Sequence, residues 1–235
     1  MPTYVDARRE AARSFFECLE RDLRADDVLQ DKHCVRLLIE KAQAEQAAGS
    51  RKRFDPEDAF RHRVLYGKID EALAAWCRKR DLRTDPYNVF RYEGPERGPT
   101  QHETAIGPSL PNVNRAFERL AEKVPEITDC HAAVAKGPNA ALAPAFRLQN
   151  PLPFGAAGET KYDATRKDLE RGIYQVAMYA ASSGDPSRQW RYDCGLLILY
   201  SLDRPRALLG EALFEAWPEV HARIWEAGRA WIILL

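Results

Sequence analysis

The sequence has no excess of charge of either sign, no long apolar run and no paired cysteine motif, and the last two absences each argue against a class of function. Lysine plus arginine number 35 and aspartate plus glutamate also number 35 in 235 residues. Net charge therefore argues neither for nor against a nucleic-acid partner, and any electrostatic site must be local. No apolar run approaches the roughly 20 residues of a membrane-spanning helix, and the opening MPTYVDARRE lacks the apolar core of a signal peptide. The five cysteines (Cys18, Cys34, Cys77, Cys130 and Cys194) are odd in number and form no C-x-x-C pair. That argues against zinc and iron–sulfur sites and for reduced thiols. No G-x-x-x-x-G-K-[ST] phosphate loop and no internal repeat occurs. The expectation is a cytoplasmic protein with no membrane partner.

What is present changes character along the chain. The first third reads helical. Ala11, Phe15, Cys18, Leu19 and Leu23 recur at helical spacing, and a second stretch in the same style ends at Gly49-Ser50. Asp55-Pro56 opens a third helix, with Asp55 at the N-cap and Pro56 at the first helical position. Its apolar stripe is Leu65, Ile69, Leu73 and Trp76. From Tyr87 the texture shifts. YNVFRYEG, EITDCHAAVAK, GAAGETKYD, YDCGLLILYSL and AWIILL read as strands, and helices are expected over VNRAFERLAEKV and from Lys167 to Ala181. The Leu196 strand is apolar enough to be buried on both faces. This pattern predicts an α/β fold, a mixed central β-sheet flanked by helices, with a right-handed crossover between the Glu159 and Leu196 strands. We divide the chain into a helical N-terminal extension over residues 1–54 and a core over 55–235.

The chemistry concentrates in GETKYDATRKDLERGIYQVAMYA, Gly158 to Ala180. On a strand, Glu159 and Lys161 project to one face and Thr160 to the other. A carboxylate can hold a hard cation through oxygen, and a neighbouring ammonium can orient a water that the metal has acidified. A second acid is needed, and Asp129 is the best candidate, with Asp163 and Asp168 as competitors. His131 could share the face of Asp129 but reads more simply as a satisfied histidine. On the following helix, Leu169, Ile173, Val176 and Ala180 form the face expected to pack on the sheet. Arg171, Gln175 and Tyr179 form a second stripe that could face a phosphodiester backbone, with Arg171 on phosphate. Both Glu159 and Lys161 are expected to line a wet site rather than the core. The clusters at 51–53 and 78–80 read as solvated, and Trp217, Trp225 and Trp231 as core.

Asp129, then Glu159-Thr160-Lys161 on a strand, then Gln175-x-x-x-Tyr179 on the next helix, resembles the PD-(D/E)XK nuclease superfamily, and in particular its RecB-like branch. The resemblance covers roughly Asp55 to Ser201, and Thr128 stands where the family motif has proline. It implies a restriction-endonuclease-like core. It further implies that Asp129 and Glu159 bind Mg²⁺ (or Mn²⁺) and that Lys161 serves the attacking water. Gln175 and Tyr179 would assist at the active site or the nucleic-acid strand, and Glu57 loosely matches an accessory glutamate on the first core helix.

The leading expectation is thus a Mg²⁺-dependent DNA nuclease hydrolysing phosphodiester bonds, in microbial defence (restriction or an anti-phage effector), either as a homo-oligomer or with a defence-system partner protein. The alternative is a catalytically inactive protein of the same fold that serves as a nucleic-acid-binding or assembly module.

Overall fold

A computed structural model describes residues 3–49, 55–82, 90–91, 110–127, 144–148, 152–182 and 192–235. Helix α1 (Tyr4–Arg24) begins at Thr3, whose hydroxyl accepts from the Asp6 N–H while the Asp6 carboxylate accepts from the Thr3 N–H, a reciprocal cap. Its buried face is Ala12, Phe15, Phe16, Leu19 and Leu23, and Ala11 and Cys18 flank it half-buried. After the short α2 (Asp27–Gln30) and α3 (Lys32–Gly49), the Asp55 side chain caps α4 (Pro56–Phe60), with proline in its first turn. A π-helical turn at Arg61–Leu65 joins α4 to α5 (Tyr66–Arg78), so residues 56–78 form one helical run with a local bulge.

The sheet contains β1 (Phe90–Arg91), β2 (Phe146–Leu148), β3 (Ala156–Tyr162), β4 (Cys194–Tyr200) and β5 (Ala230–Leu234), in that spatial order. β1, β2 and β3 are antiparallel, whereas β3, β4 and β5 run parallel. Between β1 and β2 lies α6 (Leu110–Lys123), followed by a 3₁₀ turn at Pro125–Ile127. α7 (Arg166–Ser182) crosses from β3 to β4, and α8 (Pro205–Leu209) and α9 (Glu211–Gly228) cross from β4 to β5. The fold is mixed α/β.

Strand alternation divides the core in two. Leu196, Ile198 and Tyr200 join α1, α3 and α5 in one apolar layer. Leu197 and Leu199 join α6, α7 and α9 in the other. β4 is therefore buried at every position, as a parallel strand covered on both faces must be. Gly195 lets the backbone of α7 approach β4 closely: a Cβ there would lie 2.5 Å from the Val176 carbonyl oxygen of α7. The N-terminal helices supply one whole covering layer of the sheet.

Candidate active site

β2 pairs with β3 only from Ala156 to Gly158. From Glu159 onward that side of β3 has no strand partner among the described residues, while its other side pairs with β4 as far as Tyr162. Within this half-open end the strand alternates as its sequence requires. Glu159 and Lys161 lie opposite Leu197 and Leu199, on the face covered by α7. Thr160 points the other way, toward the N-terminal helices, where its Oγ1 accepts a 2.7 Å hydrogen bond from Arg61 Nε.

The Glu159 side chain is buried, 6% exposed. The Tyr179 hydroxyl of α7 donates to its Oε1 at 2.8 Å. Burial raises the Glu159 carboxyl above the ordinary glutamate value, and the nearby Glu57 adds to that rise. Lys161, the Tyr179 hydrogen bond and Arg61 oppose it. Lys161 Nζ lies 3.9 Å from Glu57 Oε1, the two side chains being 20% and 28% exposed. Glu57 comes from α4 on the opposite layer and reaches Lys161 where β3 lacks a neighbour.

Arg61 organises this junction. Its Nη2 donates to Glu57 Oε2 at 2.6 Å, its Nη1 to Asp58 Oδ1 at 2.8 Å, and its Nε to Thr160. One rigid guanidinium fork thus ties the start of the first core helix to the strand carrying Glu159. Arg61 is also the first residue of the π turn, a feature that recurs at functional sites because it re-aims one turn of side chains.

The structure brings together four of the residues singled out in the sequence: Glu57, Glu159, Lys161 and Tyr179. Gln175 lies one helical turn before Tyr179 and is buried, and its Oε1 has no hydrogen-bond partner among the described residues. Asp129 and His131 lie outside the described residues. Of the competing acids, Asp168 is used in capping α7, accepting from the Thr165 N–H and hydroxyl. Asp163 sits past the end of β3 in an exposed turn with φ 56°.

Two expectations need correction. Glu159 does not line a wet site; it is buried beneath α7. Nor do Arg171, Gln175 and Tyr179 form one solvent-facing stripe. Arg171 is exposed, whereas Gln175 and Tyr179 are buried. At 3.6 residues per turn, each step of four advances about 40°. Two steps carry Tyr179 about 80° from Arg171, under the sheet face. α6 and α9 cover much of the remaining surface of α7.

Sequence reasoning missed Arg61, Asp58 and Thr160. The i, i+4 spacing of Glu57 and Arg61 on a helix was the available signal. The basic cluster at 78–80 is partly structural: the Arg80 guanidinium stacks over the Trp76 ring at 4.0 Å and donates to Ser14 Oγ.

Glu57 and Glu159 are oxygen donors flanking an ammonium, and Mg²⁺ is commonly held by one or two carboxylates with water and substrate phosphate completing its shell. The chemistry of this donor pair, two carboxylates, suits such an ion. No group of three His, Cys, Asp or Glu side chains placed to share a metal occurs among the described residues. No helix among them is long and apolar enough to cross a membrane. Comparison of the chain with protein-family models, with curated proteins and with solved structures finds no match.

Proposed function

We propose that this protein is a Mg²⁺- or Mn²⁺-dependent deoxyribonuclease with a PD-(D/E)XK-type, restriction-endonuclease-like core, acting in microbial defence. The observation that carries the reading is the convergence of Glu159, Lys161, Tyr179 and Glu57 at the half-open end of β3. An acid and a lysine two apart on a strand, approached by a tyrosine from the crossover helix and a glutamate from the first core helix, form a set suited to phosphodiester hydrolysis.

Glu159 and Glu57 would hold the cation, with Asp129 as a further ligand. When bound, the cation supplies charge stabilisation to the phosphoryl oxygens and acidifies a water. Lys161 would orient the attacking water and offset the negative charge that develops on the phosphoryl group. Tyr179 fixes the Glu159 carboxylate by its hydrogen bond. Arg61 holds Glu57 in place and, through Thr160, sets its distance from the strand. Arg171, exposed near the start of α7, would contact a backbone phosphate.

A second reading, a non-catalytic nucleic-acid-binding or assembly module of the same fold, is favoured by one observation. Both carboxylates are already engaged, Glu57 by Arg61 and Glu159 by Tyr179, and burial biases Glu159 toward its neutral form. Incubation of the purified protein with plasmid and linear DNA separates the two. The nuclease reading expects cleavage with Mg²⁺ or Mn²⁺ that stops in EDTA. DNA binding without cleavage under both ions supports the module.

A further inference from the structure

A second charged hollow lies at the other end of the sheet. Because β3, β4 and β5 are parallel, the start of β5 is remote from the carboxylate end of β3. There, a cavity of about 230 Å³ opens between α6, α7 and the end of α9. Its walls are small residues (Ala116, Ala177, Ala180, Ala181, Ala227 and Gly228), and its polar groups include Arg115, Arg119 and Arg229.

Arg229 occupies a costly position. It ends α9 in the left-handed conformation, φ 54° and ψ 33°, where helices ordinarily place glycine. The other two non-glycine residues with positive φ among those described are aspartates, Asp81 and Asp163, which tolerate this region far better. Its backbone is pinned there, because the Arg229 carbonyl accepts from the Gly195 N–H at 2.8 Å. The side chain is half-buried. Burial, together with the like charges of Arg9 and Arg119, makes its guanidinium easier to deprotonate than an ordinary arginine, and Asp193 opposes this. Asp193, however, is committed to Arg8, which it binds through both carboxylate oxygens at 2.8–3.1 Å. No carboxylate hydrogen bonds to Arg9, Arg119 or Arg229 among the described residues, and Arg9 Nε is buried without a partner. Arg115 is tethered to Asn112 Oδ1 on its own helix.

Backbone strain, desolvation and mutual repulsion of cations thus meet at one place, opposed by the charge of Asp193 but with no carboxylate hydrogen-bonded to Arg119 or Arg229 among the described residues. We propose that this hollow is a binding site for a phosphate group carrying two or more negative charges, held by Arg119 and Arg229 with Arg115 at the rim. Guanidinium forks match phosphate geometry. The volume admits a phosphate and its attached atoms but falls below the roughly 300–1,000 Å³ of drug-sized ligand sites. The phosphate comes either from a small free ligand or from the terminus of a nucleic-acid strand. This proposal stands independently of the nuclease reading.

Thermal unfolding and calorimetric titration with inorganic pyrophosphate test it. Wild type is expected to be stabilised by pyrophosphate, and Arg119→Ala and Arg229→Gly each to weaken binding at least about tenfold. Without ligand, Arg229→Gly is expected to melt higher than wild type, since glycine relieves both strain and repulsion. An arginine serving only to neutralise the carbonyl end of α9 would give the opposite shift. Competition by a 5′-phosphorylated oligonucleotide, but not by its unphosphorylated form, identifies a strand terminus as the source. Competition by neither identifies a free ligand. The proposal is overturned if pyrophosphate fails to bind wild type, if it binds Arg229→Gly equally well, or if Arg229→Gly melts lower without ligand.

Discussion

Tyr179→Phe isolates the contact on which the site's electrostatics turn. The substitution keeps the ring in its buried position and removes only the hydroxyl that donates to Glu159 Oε1 at 2.8 Å. A hydrogen bond to a charged group contributes about 1.5–3 kcal/mol, so wild type should exceed the variant by that amount wherever Glu159 is ionised. For a chain of this size each kcal/mol moves the melting temperature by about 2–4 °C, giving a fall of about 3–12 °C. The sign of the pH dependence follows from which form the hydroxyl favours. Donation stabilises the carboxylate, so it lowers the folded Glu159 pKa relative to the variant. The stability it contributes is present above that pKa and is lost as pH falls through it. Because burial has already raised Glu159, this window lies above the ordinary glutamate range. Denaturation of both proteins at pH 8.5 and pH 5 should show the larger difference at pH 8.5. In a Glu159→Gln background the effect should shrink to about 0.5–1.5 kcal/mol, that of a neutral hydrogen bond. An equal effect at both pH values and in both backgrounds would refute the argument.

Two further predictions concern the frame. His221 is half-buried, edge-on against Trp231, and its Nε2 accepts the Ile232 N–H on the sheet edge. Burial lowers its pKa from 6.5 to about 4. The neutral ring is therefore favoured by folding: its contribution is complete above pH 6.5 and is lost as pH falls toward 4, up to about 3 kcal/mol. Unfolding measured from pH 8 to pH 4 should show this acid sensitivity, and His221→Gln should remove it. Gly195→Ala should destabilise by about 1–3 kcal/mol or more in chemical denaturation, since the obstacle is the Val176 backbone rather than a movable side chain.

Much of the fold was legible because local signals agreed with packing. Asp55-Pro56 marked a true helix start, and the apolar run at Leu196–Tyr200 became a strand buried on both faces. Glu159 and Lys161 do share a face, because pleating is local. Thr160 pointed away as expected, but its partner Arg61 lies 99 residues earlier, and no spacing rule spans that distance. The π turn was not legible either, since it inserts a residue without any glycine or proline to mark it. The burial of Gln175 and Tyr179 follows from how α7 is rotated on the sheet, with Gly172 and Val176 against β4 and the Tyr179 hydroxyl on Glu159 of β3. That is a tertiary event, to which the i, i+4, i+8 spacing is blind.

The central claim is that Glu159 acts in metal-dependent DNA hydrolysis rather than in packing alone. The most direct measurement is the cleavage rate of wild type and Glu159→Gln on the same DNA with Mg²⁺, with unfolding of both followed in parallel. Glutamine can still accept from Tyr179 and carries no buried charge, so the variant should be at least as stable as wild type at neutral pH. Its cleavage rate should nevertheless fall by at least about a hundredfold, on the order of 3 kcal/mol of transition-state stabilisation. Equal rates for the two proteins, or a loss of rate matched by a loss of melting temperature, would contradict the account.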